Sequence, residues 1–152
     1  MTALKTVTIT ELPGLVGTEI GTSDWVEISQ QRIDTFADAT DDHQWIHVDP
    51  ERAKDGPFGA PIAHGFLTLS LFIPLWSSLL EVSDATTLVN YGLDKVRFTS
   101  PVKAGSSIRL VATLASAEQV KGGLQLGVSG VIEIEGQERP AAVVEFISRV
   151  YP

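Results

Sequence analysis

Gly65-Phe-Leu-Thr-Leu-Ser70-Leu-Phe-Ile-Pro74-Leu-Trp-Ser-Ser-Leu-Leu80 is the most apolar stretch of the chain, and its reading decides the fold. Phe66 to Leu80 spans 15 residues and carries Thr68, Ser70, Pro74, Ser77 and Ser78. A bilayer-crossing helix needs about 20 predominantly apolar residues, so a buried core helix over about Gly65–Leu80 is the better reading. Apolar residues fall nearly all round it, the pattern of a helix that other structure encloses. Pro74 has no N–H and its ring crowds the preceding turn, which predicts a kink.

What encloses that helix follows it. Thr87–Tyr91 and Lys95–Phe98 alternate imperfectly, and Gly92 between them reads as a bulge. Ile108–Leu114 reads as a strand, and Lys121-Gly122-Gly123 is a hairpin signal. Leu124–Ile134 alternates well, and Glu135-Gly136-Gln137 turns the chain into Ala141–Val150. One apolar helix followed by four or five antiparallel strands predicts a single α+β domain over residues 1–152, a curved sheet wrapped around a long central helix. Upstream, residues 1–24 read as an irregular lead-in punctuated by Pro13-Gly14, Gly17 and Gly21. Trp25–Ile28 is a short strand. Ser29 then caps a helix over about Gln30–Ala39, with Ile33, Phe36 and Ala37 on one face. Asp49 caps a short helix with Pro50 at its first position, broken by Asp55-Gly-Pro-Phe-Gly59.

Composition bounds the function. Hydrophobic residues make up 43% and charged residues 20%, as in ordinary soluble domains. No cysteine is present, which removes disulfide scaffolds, thiolate metal sites and cysteine nucleophiles. A formal charge of −8 argues against general nucleic-acid binding and against attraction to anionic lipid. The N-terminus shows no basic region followed by an apolar one, so the expectation is a cytoplasmic protein without membrane attachment. No Gly-x-Ser-x-Gly elbow, dinucleotide fingerprint or phosphate-binding loop occurs.

Chemistry concentrates in Thr40-Asp-Asp-His-Gln-Trp-Ile-His47, where two acids, two histidines and a tryptophan crowd together without serving a core pattern. Asp and His are the groups most used for proton transfer near neutral pH. Asp42 and His47 lie five residues apart. In a non-helical loop that spacing aims both into one pocket, with Trp45 excluding water. The bland alternative is an acid capping a turn and a histidine packed in a loop. Asp42, His43 and His47 also weigh as metal ligands, but their spacing matches no fixed ligand array. Gly65 opens the long helix, where free N–H groups would stabilise an oxyanion; the rival reading is that it relieves crowding. His64 reads as structural on residues alone. Lys95, Arg97 and Lys103 suit an anionic cofactor arm, although a solvated strand face is the commoner explanation.

Three motifs in order then carry a resemblance: Phe36–Asp49, Pro61-Ile-Ala-His-Gly65, and Val96-Arg-Phe-Thr-Ser-Pro-Val102. Together they resemble the MaoC-like, R-specific enoyl-CoA hydratase family, and the wording Asp-His-Gln-Trp-Ile-His-Val-Asp is closest to its single-domain, nodulation protein N-like branch. The resemblance implies a hot-dog fold and a hydro-lyase of fatty acid metabolism. It implies Asp42 and His47 as catalytic residues, the Gly65 amide as the oxyanion hole, and Gln44, Trp45, His64 and Arg97 as substrate-binding candidates. It further implies an acyl-CoA thioester substrate, no metal or dissociable cofactor, and a homodimer with sheets joined edge to edge. Three departures stand out. Asp41 occupies a position that is often Gly, Gln44-Trp45 replaces Asn-Pro, and Ile73 falls where some members carry a serine that contacts the catalytic carboxylate. An acyl-CoA thioesterase and a non-catalytic acyl-CoA-binding module on the same fold are the rival functions.

Overall fold

A computed structural model describes all residues, 1–152. Its elements are β1 (Lys5–Val7), a 3-10 helix (Ile9–Leu15), β2 (Glu19–Thr22), β3 (Val26–Glu27), α1 (Gln30–Thr40), α2 (Trp45–Val48) and α3 (Pro50–Ala53). Then come α4 (Gly65–Ser70), α5 (Phe72–Ser77), β4 (Leu80–Val82), β5 (Thr87–Phe98), β6 (Ser107–Val120), β7 (Gly123–Ile134) and β8 (Ala142–Tyr151). The main sheet runs β2-β6-β7-β8-β5, with β3 also on β6, all antiparallel. It curls around α4–α5, which is the expected hot-dog arrangement.

Alternation selects the inner face of the sheet. Ile108, Leu110, Ala112 and Leu114 of β6 are buried, as are Leu124, Leu126, Val128 and Ile132 of β7 and Val144, Phe146 and Val150 of β8. The helix supplies Leu67, Thr68, Phe72, Leu75 and Trp76 to the same core, at the three- and four-residue spacing of one helical face. Register puts Ala112, Gly130 and Val144 side by side across the middle of the sheet. That row of small residues makes a hollow for the Phe72 ring: a Cβ on Gly130 would collide with Phe72 Cε2 and lie 2.8 Å from Cζ. Burying a phenylalanine in such a site contributes about 1.5–3 kcal/mol.

The helix differs from expectation in two respects. It breaks at Leu71 into α4 and α5 and ends at Ser77 rather than Leu80, which already belongs to β4. The break is the kink that Pro74 demands, since Pro74 cannot donate to the Ser70 carbonyl. Nor is it enclosed all round: Phe66, Ser70, Pro74 and Ser77 form an exposed stripe, with Phe66 69% exposed. The lead-in is more ordered than its glycines imply. β1 pairs in parallel with β4, and the Asp84 carboxylate accepts the Ile9 N–H. β5 is one strand with bulges at Asn90/Gly92 and Leu93/Lys95, so Gly92 does mark an irregularity. No helix is long and apolar enough to cross a membrane.

Candidate active site

Ser29 caps α1 as expected, accepting the Arg32 N–H at 3.1 Å, and α1 ends in an unusual residue. Asp41 has φ 60° and ψ 22°, and no other non-glycine residue has positive φ. The left-handed conformation is natural for Gly and tolerated by Asp. An aspartate therefore fits the backbone here as well as the glycine that the resemblance leads one to expect. The turn throws Asp42 out of the helix onto an exposed loop. Its carboxylate receives only a long contact, from the Gln44 N–H at 3.5 Å.

Contrary to the non-helical expectation, Trp45–Val48 forms one helical turn, α2. It points His47 inward, where the ring is buried. His47 Nδ1–H donates to the Ile62 carbonyl at 2.6 Å, which leaves Nε2 as a bare lone pair. Ile62 N–H in turn donates to the Ile46 carbonyl at 3.0 Å, so α2 and the strand-like segment before α4 are laced together. Burial pushes the His47 imidazole below its ordinary 6.5, and His64 adds to that lowering. The Ile62 carbonyl and the Asp42 carboxylate act in the opposite direction.

His64 is buried deeper still, at 2% exposure. Its Nε2–H donates to the Asp42 backbone carbonyl at 2.9 Å, and its ring stacks on His47 with centroids 3.8 Å apart at 23°. Its Nδ1 is buried with no partner. A carboxylate oxygen of Asp42 and one ring nitrogen each from His47 and His64 lie within 4.8 Å of one another.

Gly65 follows directly, as the first residue of α4. Its N–H is one of the helix-start donors with no intrahelical partner. It opens on a cleft of about 310 Å³ walled by Phe58, Thr68, Phe98, Thr99, Ser100 and Val102, among others. The crowding reading of Gly65 has direct support. A Cβ there would sit 2.9–3.1 Å from three atoms of the Phe98 ring, so the residue relieves crowding and also leaves its amide approachable. A second, apolar hollow of about 220 Å³ lies between the helix and β5, lined by Leu69, Phe72, Ile73, Leu93 and Phe146. Ile73 faces that hollow.

The other candidates scatter. His43 turns to Asp38 on the surface at 3.0 Å, a hydrogen bond that raises its pKa, and takes no part in the cluster. Trp45 is wedged between the Arg52 guanidinium, 4.2 Å above its ring, and Gly56, where a Cβ would lie 2.8 Å from Cζ3. Gln44 is exposed just before α2, and Arg97 donates to its neighbour's carbonyl, Val96, at 2.7 Å. Of the expected site residues only Gly65 lines this cleft; Asp42, His47, His64, Gln44, Trp45 and Arg97 do not. Two contributors lie outside the sequence reading. The Ile62 carbonyl is a backbone group and leaves no mark in a sequence. Thr68 has a legible signal, since it lies three residues after Gly65 on the same helical face.

The MaoC like domain profile matches residues 11–137, most of the chain. The chain belongs to the MaoC-like family. This MaoC-like chain is 48% identical over 142 residues to 3-hydroxyacyl-thioester dehydratase Z of Mycobacterium tuberculosis, covering 93% of the chain and 94% of that protein. It is 44% identical over 146 residues to nodulation protein N of Rhizobium leguminosarum bv. viciae, covering 93% and 90%. Among solved structures it superposes on the (R)-hydratase from A. caviae involved in PHA biosynthesis with a TM-score of 0.72, 22% identity and coverage of 90% and 98%. At that identity the likeness speaks for the fold, which is the MaoC-like hot-dog.

Proposed function

We propose that the protein is a hydro-lyase that reversibly adds water across the double bond of a trans-2-enoyl-CoA to give the (R)-3-hydroxyacyl thioester. Asp42 and His47 hold one water between them. As its oxygen bonds to C3 of the enoyl chain, one of its protons is taken up by the pair and a proton is delivered to C2. The Gly65 N–H donates to the thioester carbonyl, where negative charge gathers in the transition state. The observation that carries this reading is the 2.6 Å bond from His47 Nδ1–H to the Ile62 carbonyl. It fixes the tautomer, so that the free Nε2 is an acceptor, and burial keeps that acceptor unprotonated near neutral pH. Family membership and the dehydratase relative support the same chemistry.

The reaction as written requires no metal. In the one cluster with metal-ligand spacing, Asp42, His47 and His64 within 4.8 Å, His47 could offer an ion only its Nε2, since Nδ1 is engaged by the Ile62 carbonyl. The protein is also proposed to work as a homodimer. β5 is an edge strand exposed on both faces, and Leu88, Val89, Tyr91, Leu93 and Phe98 leave an apolar strip along it, continued by Phe66 on the helix. Exposed apolar surface on an unpaired edge marks an association site, and a second copy laid antiparallel along it would cover the strip.

Crotonyl-CoA hydration, followed as loss of the conjugated enoyl absorbance, tests the activity, with chiral analysis of the product testing its hand. Turnover of crotonyl-CoA without thiol release from butyryl-CoA is the expected pattern. Thiol release would make the protein a thioesterase, and binding without turnover a carrier module.

A further inference from the structure

We propose that His64 is a positioning residue for the Asp42–His47 pair rather than a substrate-binding one; its catalytic meaning rests on the hydration reading above. Asp42 stands on an exposed loop, next to a residue in the left-handed conformation, and its carboxylate has no short protein partner. The loop is tied to the body at Asp42 by a bond from 22 residues away, His64 Nε2–H to the Asp42 carbonyl. The same imidazole stacks face to face on His47 at 3.8 Å and is backed by the Phe36 ring at 4.8 Å. One side chain therefore sets the position of the carboxylate through its backbone and the plane of the imidazole through its face.

The support for His64 is itself rigid. Ile62 N–H bonds to the Ile46 carbonyl, Ala63 N–H to the Val102 carbonyl at 2.8 Å, and Ala104 N–H to the Pro61 carbonyl at 2.9 Å. Within four residues this segment supplies the Ile62 carbonyl for His47, the His64 ring for both partners and the Gly65 amide. Hydrogen placement follows. Nε2 must carry the hydrogen of His64 because a carbonyl can only accept, so the buried Nδ1 is bare. His47 has the opposite tautomer, with its hydrogen on Nδ1. Two stacked rings with opposite tautomers are the signature of this arrangement. The titratable groups acting on His47 are Asp42 from the loop and His64 from the start of α4; Phe36 of α1 adds none.

The chain has three histidines, so long-range 1H–15N spectra of the intact protein can resolve each ring. In the wild type His64 should show the Nε2–H form and His47 the Nδ1–H form. His64→Gln keeps a donor near the Nε2 position but loses the stack; His64→Ala loses both. The Ala variant should lose kcat for crotonyl-CoA by about 100-fold, the scale of a misplaced catalytic group, with KM little changed. Gln should recover most of that loss, and in both variants the His47 titration should move upward. The proposal is overturned if His64 carries its hydrogen on Nδ1, if His47 titrates identically in the variants, or if the substitutions raise KM alone. Should the wild type fail to hydrate crotonyl-CoA, the hydration reading falls, while the tautomers and the His47 titration still decide whether His64 braces the pair. If the Ala variant does not fold, the wild-type spectra and the Gln variant decide the question by the same criteria.

Discussion

Gly65→Ala is the most informative single methyl that can be added to this protein. The new Cβ would lie 2.9, 3.0 and 3.1 Å from Cε2, Cδ2 and Cζ of Phe98, where carbon atoms prefer about 3.5–4.0 Å. The ring must therefore retreat by roughly 0.5–1 Å. It is able to do so: Phe98 is 48% exposed at the end of an edge strand and meets Phe66 edge-on at 6.3 Å. The stability cost should stay near ~1 kcal/mol, or about 2–4 °C in Tm for a chain of this length. Catalysis should suffer far more. The amide N–H survives, but the methyl and the displaced ring invade the space where a thioester carbonyl must lie. A misplacement of about 1 Å costs on the order of 100-fold in rate, equivalent to ~2.7 kcal/mol of barrier. Crotonyl-CoA kinetics and a thermal melt on the same preparation separate the two effects. A variant with wild-type kcat/KM would refute the use of the Gly65 amide, whatever its Tm.

Other consequences are equally direct. Gly130→Ala drives a methyl into the Phe72 ring and to 2.9 Å from Leu110 Cδ1, so overpacking should cost about 1–3 kcal/mol, read by denaturant unfolding; an unchanged midpoint would contradict the central packing. Because burial holds His47 below its ordinary 6.5, the acid limb of kcat/KM should inflect below pH 6.5. The same shift makes stability fall with pH beneath 6.5, since the unfolded chain then binds a proton that the buried ring resists; an inflection above 6.5 would place a different group in control. Leu93→Lys on the exposed edge should convert a dimer to monomer in analytical ultracentrifugation, and a wild type that sediments as a monomer would remove the edge as an interface.

Local rules make much of the framework legible. Ser29 and Asp49 cap their helices where their side chains predict, Pro74 breaks the central helix, and the alternation of residues 124–134 gives β7 its buried face. What escapes is long-range. β1 and β4 pair across 75 residues with no local pattern to announce them. Trp45 reads as a pocket wall because an aromatic between Asp42 and His47 invites it, yet Arg52 and Gly56 claim the ring. His64 reads as structural from the sequence, but what it holds does not. Its partners, the Asp42 carbonyl and the His47 face, exist only once the chain has folded.

The central claim is that Asp42 and His47 activate a water for an enoyl thioester, and steady-state crotonyl-CoA hydration by wild type, Asp42→Asn and His47→Gln tests it most directly. Each substitution keeps size and leaves the Gly65 amide and the cleft intact. Both variants should lose kcat by about 100- to 10,000-fold, the range for a general acid–base group, while their melts stay close to wild type. Near wild-type turnover in both, from folded protein, would contradict the account.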